Sequence, residues 1–397
     1  MFAHKNTCEN HAHEVRNADA VEQQRSKQYD SQHHEEYPCR IRNGEEMCNV
    51  VKQVHIEHKD SAFRVEDKIN TFIFYLEVKP DNFQIIWGFA YFAIPLQLIK
   101  LIGMLSILIP TYNYDCTQLV RELQKQAEHI CIDYEIIVAD DASPIMSYRD
   151  VNRKINIFPH CRLIELSENV GRARIRNRLA DEAQGEWLLF MDSDAEVISD
   201  SFIEDYLKHT DTDADVVCGG LCHADVLPSS EVSLRYAYEK RADKKRAAWY
   251  RAKNPYGQFT PFNFMIRRGV FQEIRFEESI VEYGHEDTLF GIMLGNRNAT
   301  IRHIDNPLRH VGLESNERFL EKTRSALHNL ASLEDSMQEY SSLLKFYGML
   351  RRLRIDGCIS QWFVRREALL TNHLMSPTPS LPLFFAYKLG YYCSIKQ

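Results

Sequence analysis

The sequence predicts a mixed α/β fold: a mostly parallel central sheet flanked by helices, with a helical C-terminal extension. Three observations carry that prediction. From Met104 onward, short apolar runs alternate with amphipathic helical stretches, as in a sheet covered on both faces. Each run ends in polar or small residues, as a strand does where it leaves the core. After His310 the apolar alternation gives way to a long charged helical pattern.

Taken in order, the predicted strands are LSILIP (105–110), YEIIVAD (134–140), CRLIELS (161–167), EWLLFMD (186–192) and DVVCGG (215–220). Between the first two, Leu119, Leu123, Ala127 and Ile130 recur at helical spacing. Ile175, Leu179 and Ala183 do the same between the third and fourth. Residues 313–397 read as a helical region, in which a long charged stretch (316–354) is followed by the Pro-punctuated SPTPSLP and an apolar-aromatic tail, LFFAYKLGYY. That tail, with Lys388 and the upstream Arg351, Arg352, Arg354, Arg365 and Arg366, suits either packing on the preceding domain or peripheral contact with an anionic membrane surface.

At 397 residues and 44% hydrophobic, the chain can bury a sizeable core, and its net charge of −8 argues against nucleic acid as a partner. Ten scattered cysteines without paired spacing read as reduced thiols. No secretory signal is visible, so the expected location is cytoplasmic, at most peripheral at the inner face of a membrane. Residues 1–103 read as a polar extension, disordered to about residue 66, with His11, His13, His33 and His34 as solvated side chains rather than a metal site. The extension ends in an apolar segment (83–102) whose uncharged part falls short of the roughly 20 residues a membrane span needs and contains Pro95. Because Met104 directly precedes the first strand, this extension is expected to be dispensable, or the start to be placed too early.

Ligands of open α/β sheets bind at the carboxyl ends of strands, so the residues just past each run carry most weight. Thr111 and Tyr112 follow the first run, and the tyrosine is placed to stack on a nucleobase. Asp140-Asp141 follow the second and suit a base or ribose. Asp192-Ser193-Asp194 follow the fourth, where two carboxylates two residues apart can face one hard cation together with phosphate oxygens. Glu286-Asp287, in YGHED, open a helical run that would hold a carboxylate in fixed orientation. Each pair alone is weak, since acidic residues are common in turns and first helical turns.

In this order, SILIPTYN, EIIVADDAS, ENVGRARIRNRLADEAQGEWLLFMDSD and YGHED resemble the family 2 glycosyltransferases of the GT-A fold, over residues 104–312. The resemblance implies an inverting enzyme that moves a sugar from a nucleotide-diphosphate donor, a UDP-sugar, to an acceptor hydroxyl on a glycan or lipid-linked glycan. It implies that Tyr112 and Asp141 hold the uracil, with Asp140 beside them. Asp194 would ligate Mn²⁺ or Mg²⁺, and Asp192 the ribose or the metal's water shell. Asp287 would be the base, Glu286 its or the acceptor's orienting partner, and His310 a late histidine completing the metal site. Arg176 matches the family's ARN element, although Ile175 stands where the family has alanine; of Arg172, Arg174, Arg176 and Arg178 it alone is expected to meet the diphosphate.

Asn169 and Gly171 are expected to shape the turn before that helix. The basic, aromatic segment 233–268 is expected to form an acceptor-binding lid, with Trp249 and Tyr256 as sugar-stacking or packing residues and Gly219-Gly220 as a close approach or a tight turn. Two other functions compete. A sugar nucleotidyltransferase would want a glycine-rich phosphate loop that SILIPTYN lacks. A non-catalytic binding or assembly protein would be marked by loss of Asp194 or Asp287, and both are present.

Overall fold

The computed structural model describes residues 103–280 and 284–397. The expectations for residues 1–102, including the apolar segment 83–102, lie outside the described residues.

Among the described residues, ten strands and thirteen α-helices follow in chain order: β1 (Leu105–Thr111), α1 (Thr117–His129), β2 (Tyr134–Asp140), α2 (Met146–Asn152), β3 (Cys161–Glu165), α3 (Arg172–Glu182), β4 (Trp187–Met191), β5 (Ala195–Glu196), α4 (Phe202–Leu207), β6 (Val216–Cys218), β7 (Leu221–Cys222), α5 (Ser233–Ala242), α6 (Ala248–Arg251), β8 (Asn263–Arg267), α7 (Arg268–Glu273), α8 (Glu286–Asn296), β9 (Ile301–His303), β10 (Leu308–His310), α9 (Asn316–Ser332), α10 (Glu334–Met337), α11 (Ser342–Arg352), α12 (Asp356–Leu374) and α13 (Leu381–Ile395). The five predicted strands are β1, β2, β3, β4 and β6.

The main sheet has the order β3-β2-β1-β4-β8-β6-β9. All neighbours pair in parallel except across β8, which runs antiparallel to both β4 and β6. Strand β8 is the main correction to the sequence reading, because residues 263–267 belong to the centre of the sheet and not to a lid. Its sequence NFMIR is nearly all buried, as a strand covered on both faces must be.

Alternation along the strands divides two cores. Leu105, Ile107 and Ile109 of β1, Ile136 and Val138 of β2, and Trp187, Leu189 and Met191 of β4 face one side, against Leu119, Val120 and Leu123 of α1 and Phe202, Ile203 and Tyr206 of α4. Leu108, Ile137, Leu188 and Phe190 face the other, against Ile175 and Leu179 of α3, Phe271 of α7, and Phe290 and Leu294 of α8. Each such side chain contributes about 1.5–3 kcal/mol on full burial. Together they fix the strand register, since a one-residue slip would send every apolar side chain to the wrong face.

A second sheet, β5-β10-β7, is small, with β10 antiparallel to β5 and parallel to β7. The C-terminal helices form two further clusters, one of which joins Leu234 of α5 to Phe319, Leu320, Phe363, Phe384 and Tyr387. The apolar-aromatic tail is α13, with Phe384, Tyr387, Leu389 and Tyr392 buried, so most of its apolar surface is covered by helices. Among the described residues no helix is long and apolar enough to cross a membrane. Among the described residues, Cys116, Cys161, Cys218, Cys222, Cys358 and Cys393 are free thiols.

Candidate active site

Strand order reverses between β1 and β4: from β1 the chain builds outward through β2 and β3, then returns to lay β4 on the other side. The crevice outside the carboxyl ends of strands at such a switch point is where open α/β sheets bind ligands. Thr111 ends β1, Asp140 ends β2, and Asp192 follows β4.

Thr111 is buried, while Tyr112 is 49% exposed at the mouth, leaving its ring open to a flat partner. Asp140 is buried; it accepts from the Ser143 amide at 3.1 Å and from the Ser143 hydroxyl, and lies 3.6 Å from Arg149. Asp141 accepts the Val170 and Gly171 amides at 2.7 and 3.0 Å. Both its oxygens therefore brace the turn into α3, where Gly171 takes φ 87°, a left-handed conformation that favours glycine. Burial raises the Asp141 pKa, which those two amide bonds counteract. Asn169, expected to shape this turn, does so by donating to the Asp141 carbonyl at 3.0 Å.

Arg176 on α3 is only 1% exposed and donates to Asp192 Oδ1 at 2.6 Å. Its Nε has no hydrogen-bond partner among the described residues. The four arginines separate by face: Arg172 approaches Glu286 at 3.8 Å, Arg174 approaches Glu278 at 3.7 Å, Arg176 turns inward and Arg178 is exposed. Burial pushes the Asp192 pKa up, but Arg176, Arg172 and His310 outweigh it and hold the carboxyl below its ordinary value.

The small sheet explains the next cluster. Pairing of β5 with β10 sets Ala195 opposite His310, so the residue before β5, Asp194, meets the histidine: its Oδ2 lies 3.1 Å from His310 Nε2. Pairing of β10 with β7 sets Arg309 beside Cys222, so the next residues, His310 and His223, become neighbours with ring centroids 5.9 Å apart. Glu239 of α5 reaches between the two rings. Its Oε2 lies 3.0 Å from His310 Nδ1 and also meets His223 Nε2, while its Oε1 meets Arg235. Asp243 holds the far nitrogen of His223 at 3.0 Å.

Burial alone would lower the His310 pKa, yet bonds to Asp194 and Glu239 raise it to about 9. Glu239 shows the converse: burial raises its pKa, but His223, His310 and Arg235 hold the carboxyl well below the usual range. His223 and Glu239 were not foreseen from the sequence; they lie 87 and 71 residues from His310 (310 − 223; 310 − 239) and share no local spacing with it.

Glu286 and Asp287 begin α8. Glu286 is buried and accepts the Gly284 amide at 3.1 Å. Asp287 Oδ1 accepts the Thr288 amide at 2.6 Å. Burial, then the neighbouring Glu286 charge, raises the Asp287 pKa above the ordinary carboxylate value. The turn before the helix needs glycine: Gly284 has φ +112°, and a Cβ there would meet Ala326 of α9 at 2.6 Å.

Of the expected lid, Trp249 is 64% exposed, whereas Tyr256 packs beneath α8 and donates to the Ala299 carbonyl at 3.2 Å, an anchoring role. Gly219 has Asn306 and Tyr206 within 2.5 Å of where a Cβ would stand, so close packing demands it. An open cavity of about 650 Å³, lined by Gln184, Glu186, Arg267 and Arg268 among others, sits at the opposite end of the sheet and shares no residue with this cluster.

A mostly parallel sheet with carboxylates gathered at its switch point is the arrangement expected of a GT-A-type domain. Residues 106–275 match the model for glycosyl transferase family 2. A teichoic acid poly(glycerol phosphate) polymerase of Staphylococcus epidermidis is 24% identical over 191 residues, 45% of this chain and 24% of the relative. A putative teichuronic acid biosynthesis glycosyltransferase, TuaG, of Bacillus subtilis is 28% identical over 102 residues, 23% of this chain and 36% of the relative. The chain thus spans well under half the length of these relatives. Among solved structures, a mannosyltransferase from Pyrobaculum calidifontis in complex with GDP-Man and Mn²⁺ has a TM-score of 0.47 at 13% identity, covering 78% of this chain and 95% of that one.

Proposed function

We propose that this protein is a divalent-metal-dependent, inverting glycosyltransferase that moves a sugar from a nucleotide-diphosphate donor, a UDP-sugar, to an acceptor hydroxyl in glycan synthesis. The observation that carries the reading is the meeting of Asp194 Oδ2 and His310 Nε2, 3.1 Å apart, beside Asp192 and the switch-point crevice. Neighbouring donors around a small octahedral cation, each about 2.1 Å from it, stand about 3 Å apart. A carboxylate oxygen with an imidazole nitrogen suits Mn²⁺, and the oxygen suits Mg²⁺. The donor set therefore fits, with Asp194 and His310 as ligands and Asp192 facing the water shell or ribose. A bound cation would supply Lewis-acid neutralisation of the departing diphosphate.

The chain's own residues supply the rest. Tyr112 stacks on the base, with Thr111, Asp140 and Asp141 framing the pocket. Arg176 fixes Asp192, and its unpaired Nε adds positive character on the diphosphate side. Asp287 takes the proton of the acceptor hydroxyl as that oxygen bonds to the anomeric carbon and the bond to the diphosphate breaks. Its raised pKa makes it a better base than an ordinary surface carboxylate, and such proton transfer contributes roughly 10²–10⁴-fold. Glu286 orients it or the acceptor. Two relatives named for teichoic and teichuronic acid synthesis support a cell-surface glycan acceptor.

The test is nucleoside diphosphate release from a panel of nucleotide sugars with Mn²⁺ or Mg²⁺, beside Asp194→Ala. Metal-dependent release from one donor, absent in the variant, is the expected result. No release together with no metal-dependent nucleotide binding overturns the reading and favours a non-catalytic protein.

A further inference from the structure

The contacts of Glu239 reach beyond that assignment, although their meaning rests on the metal reading above. His310 is walled by two rings that meet it edge to face, Phe262 at 5.4 Å and His223 at 5.9 Å between centroids. Such walls fix the plane of an imidazole but do not distinguish its nitrogens from its carbons, so a half-turn of the ring remains sterically similar. Glu239 Oε2, 3.0 Å from Nδ1, breaks that degeneracy. An ionised carboxylate only accepts hydrogen bonds, so the nitrogen facing it must carry the proton. With Nδ1 so held, the proton that would leave on binding a cation is the one on Nε2, the atom facing Asp194.

Glu239 is itself held on every side. Arg235 meets its Oε1, and His223, tied to Asp243, meets Oε2 beside His310. Its helix is docked at its start: the Leu234 amide donates to Asn316 Oδ1 at 2.8 Å, and the Ser233 hydroxyl donates to the Ser376 carbonyl at 2.9 Å.

We propose that Glu239 is a positioning residue for the metal ligand His310, setting both its ring orientation and its tautomer so that Nε2 faces the cation. Carboxylates behind ligating histidines of other proteins contribute roughly 10–100-fold in metal affinity. The neighbouring His223 extends the chain and is not a ligand in this arrangement.

The test is Mn²⁺ titration of the full chain by electron paramagnetic resonance, for wild type, Asp194→Ala, His310→Ala, Glu239→Ala and Glu239→Gln. The expected result is about 10–100-fold weaker binding in Glu239→Ala and substantial recovery in Glu239→Gln, whose amide oxygen still accepts. The double variant Glu239→Ala/His310→Ala should bind no more weakly than His310→Ala alone. A folded Glu239→Ala that binds within about twofold of wild type, while Asp194→Ala and His310→Ala lose the ion, overturns the proposal and leaves the metal reading standing. A second bound ion that disappears in His223→Ala overturns it as well, by making the cluster a site of its own. If neither Asp194→Ala nor His310→Ala weakens Mn²⁺ binding, the metal reading itself fails. Should Glu239→Ala not fold, ¹⁵N spectra of histidine-labelled wild type with Mg²⁺ decide. A proton on His310 Nδ1 is expected, and a proton on Nε2 with Nδ1 bare overturns the proposal.

Discussion

Asp287 and Glu286 are adjacent acids in unequal surroundings, and that inequality has a measurable sign. A base must be unprotonated to act, so turnover is expected to fall as pH drops through the raised Asp287 pKa, earlier than an ordinary carboxylate near 3.9 would allow. Glu286→Gln removes one cause of the elevation and should move that acid limb to lower pH in a pH–rate profile; an unmoved limb would assign the titration elsewhere. Asp287→Asn should lower kcat by roughly 10²–10⁴-fold while donor binding persists, read by calorimetry beside steady-state rates. Arg176 answers to stability instead. Arg176→Ala would leave Asp192 without its closest cation; because Asp192 is partly exposed, the cost is set at about 2–3 kcal/mol, below that of a fully buried pair, and a denaturant melt measures it. The three acidic motifs stood out in the sequence because each stands where an apolar run or a helical period changes. The partner of Arg176 was not, since a helix written RARIRNR offers several arginines and only packing against Phe276 and the bond to Asp192 decide which turns inward.

Strands β1, β2 and β4 could be read directly because they are largely apolar and buried with polar ends, and the edge strand β3 through Leu163 and Ile164. The antiparallel β8 was hidden for a physical reason: it is short, it follows a basic aromatic stretch, and its register is set by strands 46 or more residues earlier in the chain (264 − 218, for Cys218 beside Phe264). The two-residue strand β5 and the three-residue β10 have no periodic signature at all, yet their pairing aligns the candidate cation ligands. Gly312, just beyond β10, tests that alignment. A Cβ there would stand 2.4 Å from Asp194 Oδ2 and 2.5 Å from its Cβ, so Gly312→Ala must displace the carboxylate. Mn²⁺ affinity is expected to fall by about tenfold, the order found for changes just outside a ligand set, with circular dichroism unchanged. Undiminished affinity would show that Asp194 can move aside and still bind.

At the scale of the molecule, the C-terminal helices are part of the site's support as well as its neighbours. Tyr238 of α5 packs against Phe319 and Phe384, and Ala326 of α9 backs the turn before Glu286. A chain cut after residue 312 is expected to expose Leu234 and its surroundings, with about 1.5–3 kcal/mol lost for each large apolar side chain uncovered, and to show a lower melting temperature and weaker Mn²⁺ binding. Retention of both properties would reduce those helices to an appendage. The distance along the chain between Asp194 and His310 also has a temporal meaning. The two donors are 116 residues apart, with β8 threaded into the sheet between them. A chain growing from its N-terminus can lay β1 to β4 side by side long before His310 exists, and closing such a long loop is among the slower events of folding. The protein is therefore expected to pass through a sheet-containing, cation-blind stage during synthesis, with metal competence acquired only when the last strand is threaded beside the first small one.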